Sequence, residues 1–239
     1  MCQQKKCRSG FSGQKVAAAV ALIAACSLIS IAAGCAGTAD PKESADSASA
    51  APAAEPDQSR LQNPPLRFAE LMPVDPQPTG GSLRSGLAVV YYFDYFARDL
   101  DPLTTGKVST DSGVAGEPIP YLNHRFGQQE VFGSGTNRGV AMRMKGLIRF
   151  PRPGEYIFRA FSNDGLRVRI ADAQIIDDPT QHSDRYAVPA VVAIRQAGWY
   201  PLTVEYFQRK GTASIGLFWL APGAEDFAPI PAESYAHLP

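Results

Sequence analysis

Cysteine is missing from residues 36–239 of this 239-residue chain; all four, Cys2, Cys7, Cys26 and Cys35, lie at the start. The body is therefore no disulfide scaffold, thiol enzyme or cysteine-ligated metal site, and an apolar core must hold it together. Net charge is missing too, although the balance hides an asymmetry. Residues 1–35 carry Lys5, Lys6, Arg8 and Lys15 and no acid, which leaves 19 basic against 23 acidic residues in the remainder, a net of −4. A mildly acidic body offers no basic footprint, which excludes nucleic acid as a partner. There is no Gly-x-Ser-x-Gly elbow and no nucleophile–base set. Residues 133–139 are glycine-rich, but they lack a Gly-Lys-Ser/Thr ending and precede a strand pattern, so they read as a loop and not a phosphate cradle. The carboxylates are too scattered to single out a glycosidase pair. The expectation is a protein that is not an enzyme.

What is present begins with an address. Residues 2–15 are polar and basic, and residues 16–34 form an uncharged run rich in Ala, Val, Leu and Ile. A basic start, an apolar stretch and small residues read as a secretory signal. The run ends Ile31-Ala32-Ala33-Gly34-Cys35, which resembles a bacterial lipobox. That resemblance implies cleavage before Cys35, a diacylglyceryl group on its thiol and further acylation such as palmitate. Two or three acyl chains anchor a protein stably to a membrane where one does not. Ala36 follows in place of the Asp that resembles an inner-membrane retention signal, which points to the outer membrane in a cell with two membranes. Two alternatives stand beside this reading: Cys26 as the acylated residue, and an uncleaved membrane helix, since 19 residues reach the minimum of about 18 for a span.

From residue 36 to about 59 the chain is Ala, Ser, Pro, Asp and Glu without an aromatic. Such a segment buries too little apolar surface to offset its conformational entropy and is expected to be a disordered tether. Five prolines between residues 61 and 81 interrupt a small apolar patch of Leu66, Phe68, Leu71 and Met72. This part reads either as an extended arm on the domain or as more tether. The organisation expected is a signal peptide over 1–34, a lipidated cysteine and linker over 35–83, and a domain over 84–239.

Beyond residue 84 aromatic and β-branched residues rise, and no window holds a 3.6-residue apolar period over a dozen positions. The strand candidates are 86–96, 140–150, 155–161, 166–170, 200–207 and 213–220. In 166–170, Leu166, Val168 and Ile170 share one face while Arg167 and Arg169 share the other. In 200–207, Leu202, Val204 and Tyr206 alternate with Thr203 and Glu205, and in 140–150 Met142 and Met144 alternate with Arg143 and Lys145. Period-two alternation marks strands with one wet face, and several short ones separated by turn signals predict an antiparallel sandwich or barrel.

The order of motifs then resembles a family. Gly86-Leu87 runs into Tyr91-Tyr92. Next come Gly146-Leu147-Ile148-Arg149-Phe150, Pro153-Gly154-Glu155-Tyr156, Ser162-Asn163-Asp164-Gly165, Ile175-Ile176-Asp177, Ala197-Gly198-Trp199-Tyr200, and Gly211-Thr212-Ala213 leading to Leu217-Phe218-Trp219. Together they resemble the protective-antigen-type (PA-fourteen) domain over residues 84–238. The resemblance implies an all-β fold, a two-sheet antiparallel β-sandwich, and a binding role, often toward carbohydrate. It suggests a lipid-anchored module for carbohydrate or cell-envelope glycan, or a structural lipoprotein whose sandwich docks a protein partner. Fold alone does not choose between them.

In sugar-binding members of that family, two adjacent Asp joined by a cis peptide before Gly hold calcium, and the matching positions here are Asn163 and Asp164. Calcium takes about six to eight oxygens. Asn at the first position gives up a charge, and Arg209 and Lys210 stand where acids would help. Calcium is therefore disfavoured, and a polar ligand held directly by hydrogen bonds is expected in its place. The bland alternative is that Asn163-Asp164-Gly165 is a hairpin turn whose residues tolerate positive φ. A second cluster, Asp178, His182 and Asp184, could line a polar pocket or offer oxygen and imidazole to a metal. Its bland alternative is a solvated connection with Asp184 paired to Arg185.

Overall fold

The computed structural model describes residues 64–108 and 112–239. The signal, both candidate acylation sites (Cys26 and Cys35) and the tether up to residue 63 lie outside the described residues. In chain order the strands are β1 (Leu66–Phe68), β2 (Arg84–Ser85), β3 (Leu87–Phe93), β4 (Val114–Ile119), β5 (Asn123–Gly127), β6 (Val140–Phe150), β7 (Gly154–Asn163), β8 (Leu166–Ile170), β9 (Ala173–Asp178), β10 (Arg185–Tyr186), β11 (Ala190–Ile194), β12 (Gly198–Gln208), β13 (Ala213–Leu220), β14 (Ala228–Pro229) and β15 (Tyr235–His237). A single α-helical turn among the described residues, α1 (Asp101–Thr104), follows β3.

The strands form two sheets. One is ordered β1-β11-β7-β13-β14, with β10 beside β7 and β5 beside β13. The other is ordered β2-β15-β6-β12-β8-β9, with β3 joining β6 and β4 on its outer side. Every pairing in them is antiparallel except β1 with β11. The expected antiparallel β-sandwich is the fold. Its alternation is physical: along β12, Tyr200, Leu202, Val204 and Tyr206 are buried between the sheets while Pro201 and Thr203 face outward.

One end of the core is aromatic. Phe150 of β6 meets Tyr156 of β7 at 4.8 Å and Tyr200 of β12 at 5.2 Å, while Tyr156 lies 5.2 Å from Trp219 of β13. Rings from both sheets thus clamp the layers together, each pair adding about 0.5–1.5 kcal/mol beyond area burial. The Tyr156 and Tyr200 hydroxyls escape the core by donating to the carbonyls of Arg152 and Gln196 at 3.0 and 2.7 Å.

The domain does not begin at residue 84. Residues 66–68 pair with β11, Leu71 is buried within the core, and the backbone N–H of Val74 donates to Trp199 at 2.9 Å. Gln77 grips the same residue, accepting from its N–H at 2.7 Å and donating to its carbonyl at 3.1 Å. Of the two readings of the Pro-rich stretch, an extended arm on the domain or more tether, residues 64–83 follow the first and form a strap. Proline hides such a segment from periodicity, because the strap binds through backbone groups and single side chains instead of an alternating face.

Candidate functional site

β7 ends in one sheet and β8 begins in the other, so Asn163-Asp164-Gly165 crosses the sandwich edge. The hairpin-turn reading fails on this point, and positive φ is not used here either: among non-glycine residues it occurs at Glu70, Asp94, Phe132 and Ala171. The Asn163–Asp164 peptide is cis. Beside it a second crossing, residues 209–212, leads from β12 back to β13. Gly165 is required for close approach, since a Cβ there would lie 2.3 Å from the Pro179 carbonyl oxygen.

The two crossings are stitched together by buried polar groups. Asp164, 2% exposed, accepts the backbone N–H of Arg209 at 2.8 Å. The Asp164 N–H donates to Phe207 and the Phe207 N–H to Gly165, at 3.3 and 3.2 Å. Burial pushes the Asp164 carboxyl above its usual range, and the backbone N–H groups of Arg209 and His182 pull back part of that rise. The buried Tyr206 hydroxyl donates to the Asn163 carbonyl at 2.5 Å. Asn163 Nδ2 donates to Asp184 Oδ1 at 3.0 Å and to Thr212 Oγ1 at 3.1 Å. Asp184 also accepts from Ser214 Oγ at 3.1 Å and pairs with Arg125 at 3.1 Å.

Between the crossings lies an open polar depression of about 430 Å³. It is lined by Asn163, Asp164, His182 and Ser183 together with Lys210, Thr212, Arg98 and Gln181. Of the second sequence cluster, His182 alone reaches this lining. Asp178 turns instead to His182 Nε2, at 3.2 Å, and to Arg185, whose Nε donates at 2.9 Å. Burial alone would raise the Asp178 carboxyl, but His182 and Arg185 outweigh it and bring its pKa down to about 2. The expected Asp184–Arg185 pair is thus exchanged for Asp184–Arg125 and Asp178–Arg185. Asp178 and Asp184 act as braces rather than lining.

The donor set does not fit calcium. Asn163 directs its Nδ2 at Asp184, one Asp164 oxygen is occupied by a backbone N–H, and two cationic side chains, Arg98 and Lys210, line the same depression. Among the described residues no group of three or more His, Cys, Asp or Glu is placed to hold a metal ion. Arg209, counted from sequence as a repelling charge, spends its guanidinium on the Phe96 carbonyl at 3.0 Å, so Lys210 is the cation of that loop that lines the depression.

Arg98, Gln181, Ser183 and Thr212 were not singled out from sequence. Thr212 belongs to the Gly-Thr-Ala motif and carried a signal; Arg98 sits in an irregular stretch after β3 and carried none. His124 lies in an aromatic cluster. Its ring stacks on Tyr121 at 4.7 Å and Phe126 at 5.4 Å, with Phe132 edge-on at 4.8 Å.

This chain belongs to the PA14 domain family, whose model matches residues 83–232. No curated protein matches it. Among solved structures it is similar to an anti-sigma factor domain-containing protein (17% identity, TM-score 0.54), covering 65% of this chain and 48% of that one, so it spans about half of that protein's length. It is also similar to the PA14 sugar-binding domain from an RTX adhesin (13% identity, TM-score 0.53, 64% of this chain and 98% of that one). A third is the Epithelial Adhesin 6 A domain from Candida glabrata in complex with Galb1-3GlcNAc (14% identity, TM-score 0.52, 71% and 94%). At these identities the likeness is one of fold.

Proposed function

We propose that this protein is an extracytoplasmic lipoprotein, acylated at Cys35, whose PA14 domain binds a carbohydrate or cell-envelope glycan and does not catalyse. The observation that carries the reading is the open polar depression between the two crossings, where Asn163 and Asp164 meet Lys210 and Thr212. Two structures of similar fold are described as sugar-binding or are seen with a bound sugar, which supports the same ligand class. A depression edged by amide, hydroxyl and ammonium groups can hold sugar hydroxyls by direct hydrogen bonds, with no metal between. An open polar site, in place of a flat apolar patch, favours glycan over a docked protein partner. Asp164 serves by fixing the crossing, and the groups that line the depression for ligand are Lys210, Ser183 and Arg98, with Thr212, whose hydroxyl accepts from Asn163 and keeps its own proton to donate.

A glycan screen of the full chain in neutral detergent, run with calcium and again with a chelator, tests this. Binding is expected in both conditions. Lys210→Ala and Thr212→Ala are each expected to weaken it by about tenfold, the loss of one or two hydrogen bonds. A screen in which no glycan binds overturns the reading. For the anchor, a fatty-acid label on the protein in cells should vanish in Cys35→Ala; label lost in Cys26→Ala instead would move the anchor there.

A further inference from the structure

The outward face of the larger sheet carries two adjacent rows of side chains that differ in one respect. In the first row, Arg143 of β6 stands opposite Glu205 of β12, Glu205 opposite Arg167 of β8, and Arg167 opposite Asp177 of β9. Positive and negative alternate, and every charge is answered. Arg143 meets Glu205 at 2.8 Å, Arg167 meets Asp177 at 2.7 Å, and Thr104 of α1 donates to the other Glu205 oxygen at 2.8 Å.

In the neighbouring row the same strands present Lys145, Thr203, Arg169 and Gln174, again each opposite the next. The two cations are kept, but a hydroxyl and an amide stand where the first row has carboxylates. Arg169 donates to neutral Gln174 at 2.9 Å, and Lys145 has no charged partner among the described residues. Both are exposed, while the paired Arg143 and Arg167 of the first row are half-buried. The two rows frame a cavity of about 250 Å³ walled at one side by Thr104. Strands lie about 4.8 Å apart, so the backbones of Lys145 and Arg169 flank Thr203 at about 10 Å, a gap that two long side chains can close over one small group. Arg143 is committed to Glu205, and Arg167 to Asp177 and to Asp101 at 2.8 Å, so the charge left over at this cavity is that of Lys145 and Arg169, and their mutual repulsion is relieved by an anion.

We infer that this cavity is a binding site for an oxyanion (a carboxylate, sulfate or phosphate group of a ligand), seated over Thr203 between Lys145 and Arg169. The anion takes the place that Glu205 holds in the first row. Arg169 supplies a planar fork of donors, Lys145 a point charge and Thr203 a hydroxyl. The site shares no residue with the depression at Asn163 and Asp164, so it stands or falls independently of the glycan reading.

The test is calorimetric titration of the full chain in neutral detergent with glucuronate, inorganic phosphate and inorganic sulfate. Each is added at constant ionic strength in chloride, and the three arms separate an acidic sugar from a free inorganic anion. Saturable binding of at least one is expected, weakened about tenfold or more in Arg169→Gln. Thr203→Glu is the decisive variant, since it fills the vacant place with the chain's own carboxylate. It is expected to abolish binding and to raise Tm by roughly 1–3 °C, the effect of one added surface ion pair in a domain of this size. The proposal is overturned if none of the three anions binds, if Thr203→Glu binds as well as wild type, or if Thr203→Glu melts below it.

Discussion

At one end of the sandwich Phe150, Tyr156, Tyr200 and Trp219 meet ring against ring; at the other, Asn163, Asp164 and Asp184 meet backbone N–H groups, hydroxyls and an arginine. Both ends connect the two sheets, by different chemistry. The aromatic end gains from removing apolar surface from water, a large and non-directional contribution. The polar end gains little net energy, because each buried hydrogen bond replaces one made to water. What it acquires is position: the crossings are held so that Lys210, Thr212, Ser183 and Arg98 line one open depression. The aromatic cluster and the candidate site thus lie at opposite ends of the same strands.

The sharpest way to break the contrast is at the aromatic end. Phe150→Ala removes the ring that contacts Tyr156, Tyr200, Phe158 and Trp219, and a loss of about 4 kcal/mol in unfolding free energy by denaturant titration is expected. Glycan binding by the surviving folded fraction should be unchanged. A loss under about 1 kcal/mol would show that the two ends share the load.

At the polar end the backbone matters more than the charges. Gly165→Ala sets a methyl group 2.3 Å from the Pro179 carbonyl oxygen and 2.6 Å from the Phe207 ring, so one crossing must move. The expected cost is about 2–3 kcal/mol, with glycan binding lost before stability is. Equal binding in a destabilised Gly165→Ala protein would separate the crossing from the site.

The smallest effect belongs to the brace at Asp178. Its carboxyl is lowered from 3.8 to about 2, so its contribution is present above pH 3.8 and is lost as pH falls toward 2. Asp178→Asn should therefore cost about 1 kcal/mol or less at pH 7, and the two proteins should converge in stability near pH 2. Melting curves across that interval check the sign. A difference that grows on acidification would contradict the pairing with Arg185 and His182.

The amino-acid sequence by itself determined the sandwich. Alternation in 140–150 and 166–170 coincides with β6 and β8 because a half-buried strand must repeat every two residues. Alternation also placed Arg143, Lys145, Arg167, Arg169, Thr203 and Glu205 on the outward face. It could not align them into rows, since register depends on which strands become neighbours. Motif order pointed to Asn163 and Asp164, yet adjacency in sequence looked like a turn, and only the assignment of β7 and β8 to different sheets made it a crossing. The strap over residues 64–83 and the exchange of Asp184's partner from Arg185 to Arg125 were decided by tertiary structure alone. Backbone pairing and long-range ion pairs leave no periodic trace in the chain, because they are set by where the sheets bring distant segments together.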